Sequence, residues 1–270
     1  MNIHAKSWFL QNNQSILNPN FFGSLLHHYD FSSDQNTIIS NEFNQLVDLK
    51  HGLTLNANSS TQRPAKITLN NKNAGNFIVA SGSGRQMQRL SSENFFNNQG
   101  ELHFYMLVKS RETANDEIPI TIRKDGVRRF EINFVRSSSP NALVRVRGIT
   151  SGSSETIANS TTNTVNEWFI LTVKLDLVNQ NIKIFKNGSN IADTAFSTPD
   201  TAFENANINF YRFGGNGSFG PLDGSVAEML FYTNSNQKKV ENYLIKKWLP
   251  TALRDGSGDL ILDSNLDLTF

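Results

Sequence analysis

Residues 166–192 read NEWFILTVKLDLVNQNIKIFKNGSNIA. Phe169, Leu171, Val173 and Leu175 alternate with Ile170, Thr172, Lys174 and Asp176, the two-residue period of a half-buried strand. A short turn and a second strand follow, and then Asn187-Gly188. That dipeptide supplies the positive backbone angles that a tight type I′ hairpin turn needs. The stretch predicts antiparallel β structure and is silent about any ligand.

The same pattern extends outward. Leu102, Phe104, Met106 and Val108 form one alternating face. Ile120 and Ile122 precede Asp125-Gly126, and Phe130, Ile132 and Phe134 follow it, a strong hairpin signal. Val144 and Val146 mark another strand, and the Ser/Thr/Asn-rich residues 150–164 read as a loop. Ile208, Phe210 and the run Val226 to Tyr232 complete the series. Many short strands separated by turns indicate an all-β sandwich or barrel. One amphipathic helix is expected at about 237–248. Val240, Tyr243, Leu244 and Trp248 share a side, while Lys238, Lys239, Lys246 and Lys247 sit mostly elsewhere. Asn234 and Ser235 are its capping candidates, and Pro250 lies just past its end.

The chain has 270 residues, enough to bury a sizeable core in one large β domain or two small ones. Its 25 Lys+Arg nearly balance 24 Asp+Glu, so no global field draws it to nucleic acid or an anionic membrane. No cysteine is present, which excludes disulfides, thiol chemistry and Cys-ligated metals. Residues 1–15 lack the apolar core of a signal peptide, and no run of about 18 apolar residues suits a spanning helix. The expectation is therefore no Sec-type export and no membrane insertion. Residues 1–20 read as an arm ending near Asn18-Pro19, and 251–270 as an acidic tail suited to an edge strand or an arm reaching a neighbour.

Three blocks resemble a known family. In the first, Tyr29-Asp30, Asp48 and Pro64 hold its opening positions, with Val47 where tryptophan is usual and His51-Gly52 in place of Ser-Gly. In the second, Trp168, Phe185, Asn187 and Gly188 match its central hairpin. In the third, Gly224, Val226, Glu228, Tyr232, Tyr243, Leu244, Lys247 and Trp248 match its closing strand and helix. The blocks span residues 20 to 250 and resemble the laminin-G-like jelly rolls of the concanavalin A-like lectin/glucanase superfamily. The resemblance implies a two-sheet antiparallel jelly-roll sandwich over 21–250, with the short C-terminal helix lying on it. It implies no particular ligand, because fold alone does not carry function.

Catalytic signals are missing. Glucanases of this fold carry E-x-D-x-E on one strand face, and that motif is absent. Glu131 and Glu228 each stand alone among apolar sequence neighbours, and Glu228 matches a structural position of the family. The Gln-x-His motif of related lyases is also absent. His27 and His28 are adjacent, so on a strand they face opposite sides and share no metal, although either one can ligate with distant residues. The glycine-rich segments 81–85 and 214–217 fit no phosphate loop. No metal or cofactor is assigned. Calcium stays open through Asp30, Asp34 and Asn36 in one loop and Asp223 in another, which form no EF-hand pattern.

Two regions are candidate binding surfaces. Tyr211, Arg212, Asn216, Phe219 and Asp223 combine aromatic rings with sugar-hydroxyl partners. Arg145 and Arg147 share a strand face in a basic segment and suit an acidic glycan or the acidic tail of another subunit. The expected function is a non-enzymatic bacteriophage virion protein of the tail, baseplate or capsid decoration. It would bind other virion proteins, symmetry-related copies or a host surface glycan. The alternative is a carbohydrate-binding module or adhesin at a bacterial surface or outside the cell.

Overall fold

The computed structural model describes residues 18–78, 84–89, 96, 99–111, 117–124, 127–135, 143–149, 155–160, 167–195, 210–213, 222–252, 255 and 261. The early strands are β1 (Gly23–Asp30), β2 (Thr37–Ile39), β3 (Glu42–Val47), β4 (Thr54–Asn56), β5 (Ala65–Leu69), β6 (Lys72–Asn76) and β7 (Met87–Arg89). The middle ones are β8 (Glu101–Ser110), β9 (Glu117–Lys124), β10 (Val127–Val135), β11 (Leu143–Ile149) and β12 (Glu155–Asn159). The last are β13 (Trp168–Asp176), β14 (Asn181–Lys186), β15 (Ser189–Ala195), β16 (Phe210–Phe213) and β17 (Gly224–Ser235), followed by helix α1 (Gln237–Trp248).

Pairing is antiparallel throughout the described strands and builds two layers. One runs β1–β17–β8–β13–β14–β15. The other runs β7–β16–β9–β10–β11–β12, with β4, β3 and β2 continuing it beside β7. β5 and β6 carry the hydrogen bonds from β3 back to β17, turning the corner between layers. Phe104, Met106, Val108, Phe169, Leu171 and Val173 from the first layer meet Ile120, Ile122, Phe130, Ile132 and Val144 from the second. The Phe104 and Phe130 rings meet edge to face across the interface at 5.8 Å. The sandwich expected from strand alternation is therefore present.

The outer face of the first layer is covered by α1. Val240, Tyr243, Leu244, Ile245 and Trp248 bury against Tyr105, Leu107, Ile170, Leu230 and Tyr232. This explains why β13 carries Ile170 opposite its core face: both sides of the strand are covered. Asn187 (φ 50) and Gly188 (φ 88) form the predicted turn, and Asn187 Oδ1 also accepts from Ile170 N at 2.8 Å.

Two local readings are corrected. The segment 150–164 is not a plain loop, because β12 forms within it against β11 and buries Ala158. Polar composition concealed a strand whose ladder partner supplies the missing stability. The helix cap is Asn236, whose Oδ1 accepts from Lys239 N, and not Asn234 or Ser235. Asn234 Oδ1 instead accepts from Ser24 N, while Ser235 Oγ bonds His103 and Tyr105. Most of the arm (1–17) and tail (253, 254, 256–260, 262–270) lies outside the described residues.

Gly75 on β6 shows how closely the corner strands approach the core. A Cβ there would lie 2.3 Å from Phe31, whose ring is clamped edge to face by Phe43 at 4.9 Å. Gly75→Ala is expected to cost about 1–3 kcal/mol by overpacking, read from urea denaturation midpoints. A loss below about 0.5 kcal/mol would show that this corner yields easily.

Candidate functional site

The second layer presents its other face away from the core. Since Met87, Ile120, Ile122, Phe130 and Ile132 point inward, their alternating neighbours point outward. Register sets such residues in a single row, Thr37, Gln45, Asn56, Gln88, Arg212, Thr121 and Glu131, with the backbone of Arg147 next in register. At the strand spacing of a β-sheet this row is roughly 30 Å long.

Side-chain hydrogen bonds join parts of the row. Thr37 Oγ1 donates to Gln45 Oε1, and Gln45 Nε2 to Asn56 Oδ1, each at 3.0 Å. Arg212 donates through Nε and a terminal nitrogen to Gln88 Oε1, at 3.2 and 2.9 Å. Thr121 Oγ1 donates to Glu131 Oε2 at 3.1 Å, and Asn133 Nδ2 to Glu131 Oε1 at 3.1 Å. Arg123 lies 3.8 Å from Glu131 Oε2.

Burial deepens along the row. Thr37 and Asn56 are exposed, Gln88 is 7% exposed, Thr121 is 2% and Glu131 and Asn133 are 0%. Two buried acceptors have no partner among the described residues: Asn133 Oδ1, two residues from Glu131 on β10, and Gln86 Oε1, just before β7. A buried acceptor without a donor is costly, so such atoms invite a donor from outside. Burial pushes the Arg212 guanidinium below its ordinary range, and the charge of Arg123 adds to the effect. Glu131 is therefore not isolated among apolar residues. Its sequence neighbours are apolar because they occupy the opposite face of β10.

The other expected site residues are distributed as follows. Arg212 joins the row. Tyr211 sits beside it on β16, paired in register with Ile122 and Arg89. Arg147 lies opposite Glu131, and Arg145 opposite Asn133 and Asn159. Asp223 stands elsewhere, held by Arg111 at 2.8 Å. Asn216 and Phe219 lie outside the described residues. Gln45, Asn56, Gln86, Gln88, Thr121 and Asn133 were not singled out by sequence. Only strand register, which pairs residues far apart in the chain, reveals their row.

The calcium candidates do not converge. Asp30 accepts from Ser32 through Oδ1 and from Lys247 through Oδ2, Asn36 Oδ1 accepts from Val47 N, and Asp34 is exposed.

Glu228 performs scaffold work. It is 0% exposed and accepts from His28 Nε2 at 2.7 Å, Tyr243 OH at 2.6 Å, Lys247 Nζ at 2.7 Å and Trp248 Nε1 at 2.6 Å. Burial favours the neutral acid, but the Lys247 charge and the His28 hydrogen bond outweigh it and bring the carboxyl down to about 2. Lys247 therefore does not sit on the helix's solvent side; Glu228 and Asp30 recruit it inward. On the same layer, burial and the Lys174 charge lower His103 to about 4.

These shifts set a pH profile. His103 folds neutral, so the unfolded chain binds the extra proton and stability falls as pH drops from 6.5 to about 4. Glu228 folds ionised, so its contribution is present above pH 4.5 and is lost toward about 2. His103→Asn is expected to flatten the melting-temperature slope between pH 6.5 and 4 while leaving the steeper fall below 4.5. An unchanged upper slope would assign that proton uptake to another group.

No known protein-family pattern matches the chain, and no curated protein sequence matches it. Solved structures do. The botulinum neurotoxin serotype C1 binding domain superposes with a TM-score of 0.60 at 13% identity, covering 87% of this chain and 55% of that one. A botulinum neurotoxin type C structure, for which entering cells depends upon interaction with two ganglioside molecules, gives 0.57 at 15%, covering 91% and 56%. The binding domain of botulinum neurotoxin DC, in complex with rat synaptotagmin II, gives 0.53 at 14%, covering 87% and 55%. This chain spans about half the length of those structures. At such identity the likeness establishes a shared β-sandwich fold.

Proposed function

We propose that this protein is a non-enzymatic carbohydrate-binding module whose ligand lies along the outer face of the second layer. The observation that carries this reading is the polar row, beside which two buried acceptors have no partner among the described residues. Sugar hydroxyls are donors, and Asn133 Oδ1 and Gln86 Oε1 are acceptors that meet no donor among the described residues. Arg212, Arg123 and the register positions of Arg145 and Arg147 bias the row toward glycans that carry a carboxylate. Glu131 is the one carboxylate in the row, whereas glycoside hydrolysis uses a pair.

The fold shared with toxin binding domains supports recognition of a cell surface, since one of those structures involves gangliosides and another is in complex with rat synaptotagmin II. We also propose a virion setting, in which the module attaches a phage particle to its host. That part rests on the sequence resemblance and the absence of cysteine. Immunogold labelling of particles tests it, and labelling confined to bacterial envelopes would favour the adhesin alternative.

A glycan array with the full chain, followed by calorimetry on the best hit, tests the site. Asn133→Ala and Arg212→Ala are each expected to weaken binding about 10-fold or more, with added salt weakening the Arg212 contribution. An array with no hit, or affinities unchanged in both variants, would contradict the assignment.

A further inference from the structure

The strand period sends His27 and His28 to opposite sides of β1, and each finds its own carboxylate. His28 donates to Glu228. His27 Nδ1 lies 2.8 Å from Asp48 Oδ2. Both pairs belong to three-residue groups with metal-ligating atoms within 4.8 Å of one another: His28 with Asp30 and Glu228, and His27 with Asp48 and His51. The first group already holds a cation, because the Lys247 ammonium bonds both Asp30 and Glu228. Among the described residues, no lysine or arginine pairs with Asp48 of the second.

The second group is also organised for ligation. Asp48 pairs with Tyr29 in an isolated bridge and begins a closed turn, with Asp48 N donating to Leu53 O and Gly52 N to Asp48 O, both at 2.7 Å. Gly52 adopts φ 71, which a side chain would resist, so the turn brings His51 back toward β1. The His27 and His51 rings stand edge to face at 5.5 Å. Asp48 Oδ1 is occupied by two backbone donors, His28 N at 3.0 Å and Lys50 N at 2.9 Å. Those bonds orient the carboxylate and direct Oδ2 toward the two imidazoles, as outer hydrogen bonds do around metal ligands. His27 and Asp48 are buried, while His51 is exposed.

We propose that His27 Nδ1, Asp48 Oδ2 and the His51 imidazole form a divalent transition-metal site, with Zn²⁺ as its occupant. Two nitrogens and one oxygen match zinc's ligand preferences, and the exposed side of His51 leaves a fourth position for water. The metal displaces the proton shared by His27 and Asp48, and that proton leaves to solvent. Closing the set requires the His27–Asp48 separation to widen by a few tenths of an ångström and the exposed His51 side chain to swing inward. In a chain without cysteine, such an ion staples the Asp48–Leu53 turn to β1.

The test uses untagged, chelator-stripped full-length protein titrated with Zn²⁺ by calorimetry and followed by thermal melting, with Mg²⁺ as control. One zinc per chain and a raised melting temperature are expected, and Co²⁺ should give the intense visible bands of a tetrahedral site. His51→Ala should weaken Zn²⁺ by at least about 10-fold. Because His51 is exposed, its removal should leave the metal-free melting temperature unchanged. No heat or melting shift with excess Zn²⁺ overturns the proposal. Equal affinity in His51→Ala also overturns it, by locating the metal elsewhere.

Discussion

One buried carboxylate organises the covered half of this protein. Glu228 lies in the middle of β17 and accepts four side-chain donors, one from β1 and three from α1. A charge withdrawn from water is tolerable only when its acceptor sites are met and a counter-charge is near. Lys247 supplies the charge, His28, Tyr243 and Trp248 supply the remaining donors, and Asp30 shares the ammonium. A 12-residue helix is marginal by itself, so α1 depends on this anchoring and on burying Tyr243, Leu244 and Trp248. The central layer then holds both its outer cover and its inner core. The outer face of the second layer carries the polar row instead of a helix among the described residues.

The two layers therefore divide the labour. Polar side chains on the first layer's outer face are consumed internally: Thr172 by Glu241, Tyr105 by Ser235 and Glu228 by the helix. Those on the second layer's outer face bond mainly along their own row and leave acceptors over. This contrast in hydrogen-bond accounting, more than exposure, distinguishes the two surfaces.

Much of the fold was legible because its signals are local. Alternation in 102–108 and 169–175, the Asn187-Gly188 turn and the 3.6-residue period of 237–248 each depend on neighbours a few residues apart. β12 was missed because Glu155–Asn159 has little apolar pattern and is stabilised by pairing with β11. Lys247 was misplaced because helical spacing assigns a face without knowing which charge lies beneath it. The polar row was the least legible feature. Arg212, Thr121 and Glu131 become neighbours only through register, and Gln88 lies 124 residues from Arg212. Of the residues chosen by chemistry alone, Arg212 entered the row's bonding, while Asp223 was taken by Arg111.

The central claim is that Glu228 and Lys247 act as one coupled unit holding α1 to the sandwich. A double-mutant cycle with Glu228→Gln and Lys247→Met, measured by urea denaturation, addresses it directly. The account predicts that each single change is strongly destabilising and that the double change costs less than their sum by about 1–3 kcal/mol. Additivity within about 0.5 kcal/mol would contradict it and leave α1 held by apolar contact alone.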